Sequence, residues 1–221
     1  MALDVTDLDR VQAFYEAFLD LSVRHEREHE VVLSAGQTDL VLRTPGSVPR
    51  GGLHTHYAFA IPVEEYETWY DRLDASFDLV EKQFGDARSL YFDDPAGNCV
   101  ELGQRDVEGP GVDGIFEVVL EVEDVERALS FYEALGFEVT DRGEERRRVR
   151  TTTGALDLEL WEPQLGIADG RGGVHVDFGV TATDPEAVVS AVDDDAAAIQ
   201  QLDTGMRVRD PDGHYLSVVR D

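Results

Sequence analysis

The residues of this chain best equipped for chemistry are a few histidines and glutamates that fall on strand-like runs. An imidazole or a carboxylate can ligate a divalent cation or carry a proton between substrate atoms. His54 and His56 stand two apart in the run Leu53–Ile61. Alternate residues of a strand share a face, so His54, His56, Ala58 and Ala60 form one set and Thr55, Tyr57, Phe59 and Ile61 the other. Over 115–123, Phe116, Val118, Leu120 and Val122 form the apolar set, and Glu117, Val119 and Glu121 the alternate one. Glu101 ends a strand before Leu102-Gly103, and Glu159 alternates with leucines in Leu156-Asp-Leu-Glu-Leu-Trp-Glu. The bulky sets should pack on helices, leaving the others to line a concave side.

Each group also has a plainer reading. A strand-end glutamate is usually solvated, and so acidic a chain scatters glutamate widely. His175 reads as structural, with Asp177 as a neighbour. His25, His29 and His214 read as surface positions. The single basic run, Arg146-Arg-Arg-Val-Arg, reads as a solvated hairpin strand or an anion-binding lip. Cys99 has no adjoining basic group to lower its pKa and reads as inert.

The elements that must hold these residues repeat. Val5, Asp7, Arg10, Phe14, Tyr15, Glu16 and Ala17 recur as Val122, Asp124, Arg127, Phe131, Tyr132, Glu133 and Ala134, without a gap. Gly52-Leu-His-Thr-His has a counterpart in Gly173-Val-His-Val-Asp, read here with His56 opposite His175. Asp94-Pro-Ala-Gly recurs as Asp210-Pro-Asp-Gly, a tight turn before the last strand of each half. The chain is a duplication, and each half divides again into strand, amphipathic helix and three strands, with Asp7 and Asp124 as N-caps. The four modules fall near 1–44, 52–105, 114–163 and 172–221. The halves are 1–105 and 114–221, linked through Gly109-Pro-Gly.

The strand-helix-strand-strand-strand unit, the Asp-(x)6-Phe-Tyr-Glu helix and the Asp-Pro-x-Gly ending resemble the vicinal-oxygen-chelate superfamily of glyoxalase I, bleomycin- and fosfomycin-resistance proteins and extradiol dioxygenases. The resemblance spans essentially the whole chain, and Thr55-His-Tyr-Ala-Phe is close to the glyoxalase and fosfomycin-resistance branch. It implies an α+β fold of four βαβββ modules, two tandem glyoxalase-like domains, forming curved mixed sheets around a pocket.

It also implies a divalent metal held by positions early in the first strand and late in the last strand of two paired modules. Module one offers nothing, with Val41 at its last-strand position. Module two offers His56 and Glu101, module three Glu117 and Glu159, and module four His175 with Ser217 in place of a carboxylate. If modules pair within the halves, one site keeps only His56 and Glu101 and the other has Glu117, Glu159 and His175; if two pairs with three across the halves, His56, Glu101, Glu117 and Glu159 make one full set and the other pair is left with a dead site. One imidazole and three carboxylates suit Mn, Zn, Ni or Mg. Fe(II) would call for a second histidine, which His54 could supply.

The activity so implied is glyoxalase I-like lyase or isomerase chemistry on a small vicinal-oxygen substrate. The metal would polarise a carbonyl while a ligand carboxylate, Glu101 or Glu117, moves a proton. The alternatives are an extradiol-type dioxygenase and a metal-free binding protein of bleomycin-resistance type. The remaining composition narrows the setting. Forty-seven acidic against 19 basic residues give a formal charge of −28, with Lys82 the one lysine. Such a surface repels nucleic acid and anionic membrane. The 42% hydrophobic content falls in periodic runs and argues against disorder. An acidic, lysine-poor surface suits a halophilic protein. One cysteine excludes an internal disulfide, and no apolar run reaches membrane-spanning length. The expectation is a cytoplasmic monomer or weak homodimer.

Overall fold

In the computed structural model, residues 1–45, 54–144, 147–163 and 176–221 are described. His175, Arg146, Leu53 and the Gly52 and Gly173 ends of the strand repeats lie outside them. Module one comprises β1 (Ala2–Asp4), α1 (Leu8–Leu19), β2 (Ser22–Arg27), β3 (Glu30–Ala35) and β4 (Thr38–Arg43). Module two comprises β5 (His54–Pro62), α2 (Tyr66–Asp74), β6 (Val80–Phe84), β7 (Ala87–Asp93) and β8 (Cys99–Arg105). Module three follows as β9 (Gly114–Glu121), α3 (Val125–Ala134), β10 (Glu138–Arg142), β11 (Arg148–Thr152) and β12 (Asp157–Trp161). Module four contains β13 (Val176–Ala182), α4 (Pro185–Ser190), β14 (Ala198–Leu202), β15 (Gly205–Arg209) and β16 (Tyr215–Arg220).

The helices begin where the caps require. Asp7 accepts from the Arg10 N–H, and Asp124 accepts from those of Glu126 and Arg127, satisfying amides that have no partner within the helix. Behind them Val11, Phe14, Tyr15 and Leu19 are buried in α1, and Ala128, Leu129, Phe131 and Tyr132 in α3.

The strands form two mixed eight-stranded sheets. One has the order β14-β15-β16-β13-β1-β4-β3-β2, the other β10-β11-β12-β9-β5-β8-β7-β6. The modules therefore pair across the sequence halves: two with three, and one with four. The join between β5 and β9 is antiparallel over nearly the whole of β5, whereas β1 meets β13 over two residue pairs among the described residues.

Other contacts tie the modules back together within each half. The Tyr15 hydroxyl on α1 touches that of Tyr57 and donates to Asp94 Oδ2 at 2.9 Å. The Tyr132 hydroxyl on α3 donates to Asp210 Oδ2 at 2.8 Å. Each aspartate meanwhile caps its own turn, Asp94 accepting from the amides of Ala96 and Asn98, and Asp210 from those of Asp212 and His214. Gly97 and Gly213, at φ 82° and 101°, complete the two turns. The recurring Tyr and Asp-Pro-x-Gly motifs are thus one buried hydrogen-bonded lock, made twice.

The duplicated strands align differently from the sequence reading. Ala58 pairs with Glu101 in one sheet, and Gly179 pairs with Ser217 in the other. Glu101 and Ser217 occupy the same place after their turns. Asp177, not His175, therefore stands where His56 stands. His214 is also not a surface residue: it is 1% exposed, and its Nε2 lies 2.8 Å from the Glu121 carbonyl oxygen. His25 and His29 are exposed.

Candidate metal centre

β5 lies between β8 and β9, and the site is built across these three strands. Ala58 pairs with Glu101 on one side and Glu117 on the other, so the two carboxylates point up from the same row with only a methyl group between them. His56 lies two residues earlier on that face. One donor atom from each of His56, Glu101 and Glu117 lies within 4.8 Å of the others. All three residues are buried, with exposures of 7%, 3% and 2%.

The surroundings orient the donors. Tyr91 and Trp161 stand edge-on to the His56 ring at 5.4 and 6.0 Å, with interplanar angles of 85° and 82°. His56 Nε2 lies 3.2 Å from Glu101 Oε2. Burial pushes the Glu101 carboxyl up, but hydrogen bonds from His56, Ser89 and Tyr91 outweigh it and hold it below its usual pKa. Glu117 is pushed up to about 7, by burial first, against the pull of Arg150 and with the repulsion of Glu101 and Glu159 added. The two neighbouring carboxyls are thus shifted in opposite directions from the usual carboxylate range.

The donor set fits a divalent cation. Glu101 Oε2 and Glu117 Oε1 accept no well-aligned hydrogen bond. The first lies near the imidazole of His56 and the second near the guanidinium of Arg150. Two carboxylate oxygens and one imidazole nitrogen converging at this burial are ligands suited to Mn, Zn, Ni or Mg.

Glu159 stands beside this cluster rather than in it. Its Oε1 meets Arg148 Nη1 at 2.5 Å, and its Oε2 accepts from Trp161 Nε1 at 2.6 Å. Arg150 spans the gap, touching Glu117 Oε1 with Nη2 and lying 3.9 Å from Glu159 Oε1 with Nε. Arg148 and Arg150 therefore turn toward these carboxylates, and the basic run is not a merely solvated hairpin.

Two β-bulges re-sort the faces read from alternation. The pairing of β5 with β9 shifts between His54 and His56. The His54 ring packs 6.0 Å from Tyr57, whose hydroxyl meets helix α1, so His54 belongs to the core side and not to the face of His56. A second shift falls between Ala58 and Phe59, opposite Phe116. Phe116 thereby leaves the core set for the cup. A Cβ on Gly103 would contact both the Phe116 ring and Glu101 Oε1, and the Arg105 guanidinium lies 3.7 Å over that ring. Tyr91, Trp161, Arg105 and Arg150 were not legible as site residues, because each reaches the cup only through pairings between strands distant in sequence.

The corresponding face of the other sheet has different occupants. Ser217 Oγ donates to Asp177 Oδ1 at 2.9 Å, as Glu101 meets His56. Arg207, in the row position of Tyr91, meets Asp177 Oδ2 at 2.8 Å, and Arg43, in that of Trp161, approaches it to 3.7 Å. Val41 takes the place of Glu159. No cluster of three potential metal ligands other than His56, Glu101 and Glu117 occurs among the described residues.

Comparison with known proteins agrees with this architecture. The family described as the Glyoxalase/Bleomycin resistance protein/Dioxygenase superfamily matches residues 1–102. The metallothiol transferase FosB of Staphylococcus saprophyticus is 31% identical over 105 residues, covering 44% of this chain and 70% of the relative. This chain belongs to that superfamily. FosB of Staphylococcus epidermidis is 28% identical over 109 residues, covering 46% of this chain and 77% of the relative. Glyoxalase I of Zea mays superimposes with a TM-score of 0.73 at 20% identity, over 99% of this chain and 90% of that one, which shows a shared fold over both halves.

Proposed function

We propose that this superfamily member is a divalent-metal-dependent lyase or isomerase of glyoxalase I type, acting on a small substrate with two neighbouring oxygens. The supporting observation is the convergence of His56, Glu101 and Glu117 within 4.8 Å, on strands from two modules that meet only when the halves exchange. The name metallothiol transferase carried by the staphylococcal relatives supports a metal here. It also makes thiol addition a reaction to assay beside isomerisation.

In this reading His56, Glu101 and Glu117 are ligands, and Glu159 is a fourth once it releases Arg148. A bound ion would supply Lewis acidity toward the paired substrate oxygens. Glu101, held ionised by His56, Ser89 and Tyr91, keeps its negative charge throughout. Glu117 would carry a proton from one substrate carbon to the next on the carboxylate oxygen not engaged by the ion. Tyr91 and Trp161 fix His56 and keep water from its ring. The extradiol reading loses its second histidine, since His54 faces the core. A metal-free binding protein is favoured by one observation, the Arg150–Glu117 ion pair, which neutralises the cup without an ion.

We read the protein as a monomer, because one chain already supplies four modules. The acidic surface and single cysteine suit a salt-rich, reducing cytoplasm. Among the described residues no helix is long and apolar enough to cross a membrane. The decisive experiment is elemental analysis of the purified protein with a chelator control, with Glu101→Ala assayed on a panel of 2-oxoaldehydes with and without thiol. The variant should lose both metal and turnover. Stoichiometric metal retained in Glu101→Ala would remove the proposed centre.

A further inference from the structure

We propose that Arg150 is a stand-in for the ion: its guanidinium holds Glu117 and faces Glu159 in the metal-free protein, and metal loading displaces it. The inference rests on the ligand reading just given.

Arg150 lies on β11, two strands away from the β9 that carries Glu117. Neighbouring strands are about 4.8 Å apart, so the side chain reaches roughly 10 Å across β12 to make the contact. It does so over Glu159, its own partner in the register. Arg148 lies on the same face but turns to Asp141 and Glu159, at 2.8 and 2.5 Å. Arg150 is thus the guanidinium placed between the two carboxylates that the full ligand set would share.

The physical need for it is plain. Glu117 is 2% exposed, and a carboxylate so buried requires a cation partner or a proton. A metal ion and a guanidinium would compete for the same oxygen, and as like charges they exclude each other at that distance. The Arg150 side chain is 31% exposed, so it has an open path to solvent when displaced. The second cup shows the same solution made permanent. There Arg207 and Arg43 converge on Asp177 and are 14% and 18% exposed, and no carboxylate remains at the places of Glu101 and Glu159. The first cup keeps its carboxylates and sets one guanidinium, that of Arg150, between two of them.

The test is Mn²⁺ binding to chelator-stripped protein, measured by calorimetry. Arg150→Gln should lower the Kd about tenfold, the scale on which residues around a metal's ligands act. Arg150→Lys, which keeps a cation, should stay near wild type. In the wild-type protein, 2,3-butanedione should modify Arg150 faster after Mn²⁺ loading, as mapped by mass spectrometry. That measurement holds even if the glutamine variant folds poorly. Equal Kd values for wild type and Arg150→Gln, or equal modification of Arg150 with and without metal, would overturn the displacement. Absence of Mn²⁺ binding in both wild type and variant would instead defeat the ligand reading itself.

Discussion

Asp177 stands in one sheet where His56 stands in the other. Both sit on the first strand of a module, and both meet a side chain two rows along on the neighbouring last strand: Ser217 for Asp177 and Glu101 for His56. Their wider partners differ in sign. His56 is surrounded by carboxylates and aromatic rings, Asp177 by two guanidinium groups. One cup has kept groups that a cation can bridge, and the other is already bridged by its own arginines.

It follows that Asp177→Ala should damage the fold and spare the centre. Among the described residues, removing it leaves Arg43 with Glu30 and strips Arg207 of its carboxylate. Unpairing a buried ion pair costs about 3 kcal/mol or somewhat more. Urea unfolding should report that loss, while metal stoichiometry and Kd stay as in wild type. A variant that lost metal while keeping its stability would reverse the assignment of the two cups.

The Tyr15–Asp94 hydrogen bond should be a coupled unit in stability. Tyr15→Phe removes a donor to a buried carboxylate that also caps its turn, a loss of about 1–2 kcal/mol. Asp94→Ala should cost more, because Tyr15 and the Asn98 and Ala96 amides lose their acceptor together. A double-mutant cycle should give a coupling above about 0.5 kcal/mol. Additive effects would mean that the helix-to-turn lock contributes nothing specific.

The legibility of the chain follows from what kind of information each feature carries. The modules, caps and Asp-Pro-x-Gly turns are local, with periodicity and turn chemistry within a few residues, and they are where the sequence placed them. His56, Glu101 and Glu117 were candidates because the superfamily resemblance, laid on these local motifs, implies ligands at their strand positions. Two things were not local. The bulges beside His56 and at Phe116 each insert a residue into a ladder, and no spacing announces them; they move His54 into the core and Phe116 into the cup. The reach of Arg150 depends on β12 lying between β11 and β9, a matter of sheet order. His175 was set opposite His56 by matching histidine to histidine; aligned without a gap from Gly52 and Gly173, the same two motifs set Asp177 opposite His56, as the register does.

Ala58 should be the floor of the centre. Its partners in the row are Glu101 and Glu117, and its methyl group leaves the space between them open. Ala58→Leu would put a branched side chain between the two carboxylates. Because the residue is fully buried, overpacking should cost about 1–3 kcal/mol. Metal binding should fall below detection, whereas Ala60→Leu, nearer the strand end on the same face, should retain it. Wild-type affinity in Ala58→Leu would show that the ion sits elsewhere.

The raised pKa of Glu117 predicts a specific pH dependence for the metal-free protein. Its carboxyl titrates near 7 when folded and near the usual 4.5 when unfolded. Below about 4.5 both states hold the proton, and the residue imposes no charge-burial penalty. Between the two values the folded state binds more protons than the unfolded, so stability falls as pH rises through that window. Above about 7 the full penalty is present, up to about 3 kcal/mol at about 1.4 kcal/mol per pH unit. Glu117→Gln should remove this slope, so that the variant gains on wild type from pH 5 to pH 8 in chemical denaturation. Metal should act in the opposite sense on the wild type, because it binds ionised Glu117: apparent affinity should rise up to tenfold per unit below pH 7 and level off above it. Parallel stability curves for wild type and Glu117→Gln would place the proton on another group and remove Glu117 as the carrier.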